Sequence, residues 1–142
     1  MHRLTLAQAT ALIDAASTEA VRLSMRPVSI AVLDPGSNLI AFQRQDGAPF
    51  LGPKIAVGKA TGAVGFGLSS RKLAEIAVER PHFIASIDTL GDGGMVAAPG
   101  GVIVCDAGGT VLGAIGISGD TSDNDEACAL AAIAALGFTA KP

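Results

Sequence analysis

The chain has 142 residues, of which 49% are hydrophobic and 16% charged, and its formal net charge at pH 7 is −3. This length fits one domain, and the apolar composition excludes intrinsic disorder. The weakly acidic charge, the lack of Trp and Tyr, and the lack of an uncharged stretch of about 20 strongly apolar residues argue against nucleic-acid binding and against a membrane span.

The first third of the chain predicts a helix followed by a β-hairpin. Thr5 opens a capping box, and apolar residues at helical spacing continue the helix over residues 6–23. Residues 28–33 and 39–43 predict two strands. The segment DPGSN (34–38) between them has the residue types of a tight turn.

The middle of the chain predicts two helices and a loop. A proline suits the first turn of a helix over residues 53–64, which glycines then end. A shorter helix starts after a serine cap at 69 or 70 and ends at Pro81. Residues 91–101 are rich in glycine and predict a mobile loop, with a short strand at 95–98.

The last third predicts a second hairpin and a helix. Residues 101–105 and 110–117 predict strands that flank the turn DAGG (106–109), and Ser122 caps a helix over residues 123–136. We find no internal repeat. Because hairpins pair antiparallel, this order predicts an α+β domain with helices on both faces of the sheet.

Six short motifs occur in a fixed order along the chain. They are SIAVLDPG (29–36), RQDG (44–47), KA (59–60), PGG (99–101), GAIGISG (113–119) and DNDEACA (123–129). Together they resemble the GlcG/HbpS-like family, which includes the C-terminal domain of PduO-type proteins. The resemblance covers nearly the whole chain.

The resemblance implies a profilin-like α-β-α fold with a five-stranded antiparallel sheet flanked by helices. It also implies assembly into dimers, tetramers or octamers, haem binding in some members, and an association with small-molecule catabolism. The composition itself, rich in alanine and with 18 Gly, indicates close-packing surfaces and a homo-oligomer.

Arg44, Asp46 and Lys59 are the candidate catalytic residues of an anion site. Arg44 could hold a carboxylate or phosphate in bidentate geometry, or could pair with Asp46 to fix the turn. Lys59 interrupts an apolar helix and either reaches solvent or faces the rim of the sheet, where it must pair and could transfer a proton. We predict that Arg44 and Lys59 lie at a shared cleft.

Four acidic residues cluster at the start of the last helix, namely Asp120, Asp123, Asp125 and Glu126. Acids there favour the helix dipole, and Ser122 with Asp125 resembles a capping box. The cluster could instead bind a cation or pair with Arg44 or Lys59. We assign Glu126 a catalytic and Asp125 a ligand-binding role. The spacing does not match a calcium loop, so we predict no metal site.

Gly100, Gly101 and Gly116 are candidate ligand-binding glycines, because a ligand or a neighbouring chain could come close to the backbone at each of them. Strand packing explains them equally well.

His2 and His82 are the only histidines in the sequence, and His82 is the candidate ligand-binding histidine. If haem binds, its axial ligand is one of these or a weaker oxygen or sulfur donor, so the cofactor stays unknown.

Three classes of function remain open. The first is a small-ligand-binding protein of the GlcG/HbpS type that could bind haem. The second is a cofactor-free lyase, isomerase or hydrolase acting on a small carboxylated metabolite, and the third is a structural accessory protein.

Cys105 and Cys128 form no CxxC motif, which predicts reduced, buried thiols in a cytoplasmic protein without a signal peptide.

Overall fold

The chain folds as a five-stranded antiparallel sheet with helices on both faces, in a computed structural model that describes residues 2–90 and 94–142. The strands lie in the order β2-β1-β4-β3-β5. This arrangement confirms the predicted fold. The elements are α1 (Leu6–Arg22), β1 (Ser29–Leu33), β2 (Leu39–Arg44), α2 (Gly52–Phe66), α3 (Ser70–Glu79), α4 (Pro81–Ile87), a 3-10 turn (Asp88–Leu90), β3 (Gly101–Cys105), β4 (Val111–Ser118), α5 (Ser122–Ala135) and β5 (Thr139–Lys141).

The alternation of side chains along each strand gives the sheet two buried faces. In β1, Ile30 and Val32 pack into a cluster with residues of α1 and α5, whereas Leu33 packs with residues of α2. The central strands β1, β3 and β4 are buried along almost their whole length. Among the described residues, no helix is long and apolar enough to cross a membrane.

Helix α2 lies in direct backbone contact with the sheet, because glycines face it. A Cβ atom at Gly116 would lie 2.0 Å from the carbonyl oxygen of Ala56, and one at Gly101 would lie 2.2 Å from that of Lys59. Any side chain at either position would push the helix away. The glycines therefore set the distance between α2 and strands β3 and β4.

The two hairpins share the same turn geometry. Oδ1 of Asp34 accepts the backbone N–H groups of Gly36 and Asn38, each at 2.9 Å. Oδ1 of Asp106 accepts those of Gly108 and Thr110, also at 2.9 Å. The strands and turns of residues 30–40 and 102–112 thus repeat one pattern, D-x-G with flanking apolar residues.

Some local predictions hold and others need correction. The capping box at Thr5 and the serine cap at Ser69 are present. The cap of α5 is Thr121, one residue before the predicted Ser122. Helix α3 ends before Pro81, as predicted, but Pro81 then begins the additional helix α4, since proline suits a first helical turn.

The fifth strand is also not where the sequence placed it. Residues 95–98 form no strand, and β5 follows α5 and pairs with β3. The part of the predicted loop at residues 91–93 lies outside the described residues.

Both cysteines are free and buried, as predicted. Burial, with a smaller contribution from the nearby charges of Glu19 and Asp125, raises the pKa of the Cys128 thiol to about 12.

We predict that Gly116→Ala lowers the free energy of unfolding by more than about 3 kcal/mol, because the added methyl group meets the backbone of α2. Gly65→Ala is the matched control. A Cβ at Gly65 meets only the sulfur of Met95 at 4.0 Å, so the change should stabilise the helix by up to about 1 kcal/mol. Urea unfolding of both variants measures the two changes in the free energy of unfolding. Equal changes in both variants would contradict the close contact between Gly116 and α2.

Candidate functional site

Lys59 and Asp125 form an ion pair in the interior. Nζ of Lys59 donates to Oδ2 of Asp125 at 3.0 Å and to the carbonyl oxygen of Ile117 at 2.9 Å. Their side chains are 3% and 2% exposed. Oδ1 of Asp125 accepts the backbone N–H of Asp120 at 3.1 Å, so both charges are satisfied by hydrogen bonds. The pair ties α2 to the first turn of α5 across the end of the sheet.

The three candidate ligand-binding glycines lie against this ion pair and α2. At Gly100, with φ +129°, a Cβ atom would lie 2.9 Å from Nζ of Lys59 and 2.6 Å from the carbonyl oxygen of Ile117. Gly101 and Gly116 contact the backbone of α2, as described above. The close neighbour that these glycines admit is therefore the protein's own helix.

Arg44 and Asp46 lie at the end of edge strand β2, and both are exposed. In the part of the chain that the structure describes, neither takes part in an ion pair. Because the ammonium group of Lys59 is buried against Asp125, the structure does not bring Arg44 and Lys59 into an open cleft. The physical reason is that a buried ammonium group needs a charged partner within hydrogen-bond distance.

The remaining acids at the start of α5 also have partners. Arg71, which the sequence analysis did not single out, bonds Glu126 at 2.9 Å and also contacts Asp123. Asp120 accepts the backbone N–H groups of Arg26 and Thr121, which lowers the pKa of its carboxyl group. Among residues 2–90 and 94–142, no group of three or more potential ligands could hold a metal ion.

A cavity of about 560 Å³ lies on the α2 side of the sheet. Its volume is within the range of small-molecule sites, roughly 300–1,000 Å³. The lining comes from the turn after β1, the C-terminal half of α2, helix α4 and the residues on either side of segment 91–93. The lining residues are Gly36, Ser37, Asn38, Thr61, Gly65, Phe66, Phe83, Ile87, Leu90 and Met95.

The cavity has an apolar wall and a polar end. Phe66 and Phe83 pack edge to face with ring centroids 6.4 Å apart. Met95 also lines the cavity, and its sulfur would lie 4.0 Å from a Cβ atom at the lining residue Gly65. At the polar end, the hydroxyl groups of Ser37 and Thr61 lie 3.2 Å apart. His82 is exposed on α4 and is not among the lining residues, so the candidate histidine lies outside this cavity.

This cavity contains none of the candidate site residues named from the sequence. Its aromatic wall needs α4, which the sequence analysis did not predict, and contact between elements far apart in the chain. One local signal was available. When the turns DPGSN (34–38) and DAGGT (106–110) are aligned on their aspartates, Ser37 stands where the other turn has Gly109.

We predict that Lys59→Met and Asp125→Leu each lower the free energy of unfolding by about 3–5 kcal/mol, because each leaves one buried charge without a partner. The double variant should recover most of this loss, since both charges are then gone. Arg71→Met is the matched control on the half-exposed pair with Glu126, and it should cost about 1 kcal/mol or less. Urea unfolding measures these changes. If the loss of stability in the double variant equals the sum of the two single losses, the two charges act independently and the prediction is contradicted.

Comparisons with known proteins give the family. The family model described as "Haem degrading protein HbpS-like" matches residues 4–134. No curated protein matches the chain. The crystal structure of HbpS is 34% identical, with a TM-score of 0.81, and the match covers 96% of this chain and 92% of that one.

Two further structures extend the comparison. A double mutant of Streptomyces reticuli HbpS is 32% identical, with a TM-score of 0.81 and coverage of 96% and 89%. A PduOC:heme complex is 24% identical, covers 99% of each chain and has a TM-score of 0.86, which supports the fold. The family match and the identity to HbpS confirm the resemblance seen in the motifs, and the chain belongs to the HbpS-like family.

Proposed function

We propose that this protein binds a small ligand, haem, in the cavity between α2, α4 and the turn after β1. One observation carries the proposal: a cavity of about 560 Å³ joins an aromatic wall to a sulfur donor and two hydroxyl groups. Membership of a family described by haem degradation supports haem as the ligand. The PduOC:heme structure, which has the same fold, adds support.

The donor set of the cavity fits haem. Thioether sulfur is an axial ligand of haem iron in proteins, and Met95 supplies it here. Phe66 and Phe83 offer the apolar surface that a porphyrin face needs. The guanidinium group of Arg80 lies 4.4 Å from the centroid of the Phe83 ring, so a positive charge is available for a ligand carboxylate beside this wall. Bound haem would supply redox-active iron, and the lining residues would hold and orient it.

The alternative of a cofactor-free enzyme has less support. It needs Arg44 to hold an anion and Lys59 or an acid to carry a proton. Lys59 is engaged with Asp125, and Glu126 with Arg71. The accessory-protein class, the association with catabolism and a cytoplasmic location stay predictions.

Hemin titration of the purified protein tests the proposal. We expect an absorption band of bound hemin in the native protein and its loss in Gly65→Trp, because Gly65 lines the cavity and an indole would fill it. Met95→Leu keeps the volume but removes the sulfur donor, and should weaken binding by about tenfold, or about 1.4 kcal/mol.

His82→Ala is the matched control and should bind hemin as the native protein does, because His82 does not line the cavity. Unchanged binding in Gly65→Trp would contradict the cavity as the site. Loss of binding in His82→Ala with no change in Met95→Leu would contradict the sulfur ligand.

We also propose that copies of the chain associate through the edge of the sheet at β2. Leu39 and Phe42 are 57% and 37% exposed there, and Phe50 in the following loop is 81% exposed. Leu39 and Phe42 line an apolar groove with residues of α2. An unpaired edge strand beside exposed apolar side chains favours pairing with another chain.

We expect light scattering at micromolar concentration to report a dimer or a larger species. Phe42→Glu should shift the protein towards the monomer, because it puts a charge into the apolar surface. Val78→Glu is the matched control, since Val78 is 84% exposed on α3 and away from β2. A native monomer of 14.1 kDa, or equal effects of both variants, would contradict this interface.

A further inference from the structure

Ser37 adopts a backbone conformation that serine disfavours. Its φ is +67°, in the left-handed region, where residues with a Cβ atom are strained by roughly 1–2 kcal/mol. The equivalent residue of the repeated turn after β3 is Gly109, with φ +85°. One turn therefore uses glycine at this position, and the other uses a strained serine.

The turn itself does not need the serine. The backbone N–H of Ser37 donates to the carbonyl oxygen of Asp34 at 3.0 Å, and that of Gly109 donates to the carbonyl oxygen of Asp106 at 3.1 Å. The aspartate side chains make matching bonds in both turns, as described above. Since glycine supports the same hydrogen bonds, the backbone bonds of the turn do not account for the serine side chain.

The surroundings of the two positions differ. A Cβ atom at Gly109 would have nothing within 4 Å, so a side chain there would meet open space. The hydroxyl group of Ser37 instead reaches Thr61 of α2 at the polar end of the cavity. The strained residue is thus the one whose side chain lines the cavity.

The two hydroxyl groups leave a donor free. They carry two protons between them, and one is used in their mutual hydrogen bond. In the described part of the chain, neither hydroxyl makes another hydrogen bond, and Thr61 is 7% exposed. Among the described residues that line the cavity, none has a charged side chain, so this end suits an uncharged acceptor over a carboxylate.

We propose that Ser37 and Thr61 form a subsite that donates a hydrogen bond to an uncharged oxygen acceptor, such as a carbonyl, on an otherwise apolar aromatic ligand. The subsite uses the same cavity as the proposed function but goes beyond haem, because it concerns neutral carbonyl compounds. It is tested without haem, so its failure and the failure of haem binding are distinguishable.

A matched pair of probes isolates the hydrogen bond. 2-Acetylnaphthalene carries a carbonyl group where 2-ethylnaphthalene carries a methylene group, and the two are otherwise alike in shape. The ratio of their dissociation constants is measured by titration in the native protein, Ser37→Gly and Thr61→Val. We expect the preference for the ketone, measured by this ratio, to fall about three- to tenfold in both variants. A change of this size corresponds to one net hydrogen bond.

Gly109→Ser is the matched control. It places a serine in the equivalent turn away from the cavity, so it should lower the melting temperature while leaving the ratio unchanged. Ser37→Gly relieves backbone strain and should keep the melting temperature within a few degrees of the native value or raise it. This readout separates a binding role from a structural one.

The same ratio in the native protein, Ser37→Gly and Thr61→Val would overturn the subsite. Failure of the native protein to bind either probe would also overturn it, whatever the hemin titration shows. A marked fall in the melting temperature of Ser37→Gly would show that the serine is needed for the turn, against the inference.

Discussion

The contact between helix α2 and the middle of the sheet fixes most of the structure around it. Gly101 and Gly116 let the carbonyl groups of Lys59 and Ala56 approach closer than any side chain would allow. At this short distance the lysine stem can pass beside Gly100 and reach the first turn of α5. The C-terminal half of the same helix carries Thr61 and Phe66 to the cavity. One backbone contact therefore positions both the buried ion pair and the cavity wall.

The buried ion pair explains why a lysine inside an apolar helix is tolerated. Desolvation of a charge is costly, and it is offset here by a carboxylate and a carbonyl oxygen, both within about 3.0 Å of Nζ. Such a pair favours one arrangement of α2, β4 and α5 over others. It also removes Lys59 from the surface, and Lys59 is not among the residues that line the cavity at the C-terminal half of α2.

Local patterns in the sequence predicted local structure well. The capping box at Thr5, both hairpins and the order of most elements follow from neighbouring residues, and these predictions are confirmed. Helix α4 and strand β5 are short and weakly patterned, so tertiary contacts decide them. The sequence did not identify the partner of Lys59, because any of the four acids at the start of α5 could have paired with it. The cavity joins elements up to about 60 residues apart, which spacing alone cannot show.

We propose that the cavity lined by Ser37, Thr61, Phe83 and Met95 is the ligand site of this HbpS-like protein. The most direct test is a crystal structure of the protein grown with hemin. We expect haem density against Phe66 and Phe83, with the iron next to the sulfur of Met95. Haem density bound instead in the groove of Leu39, Phe42 and Lys54, with this cavity empty, would contradict it.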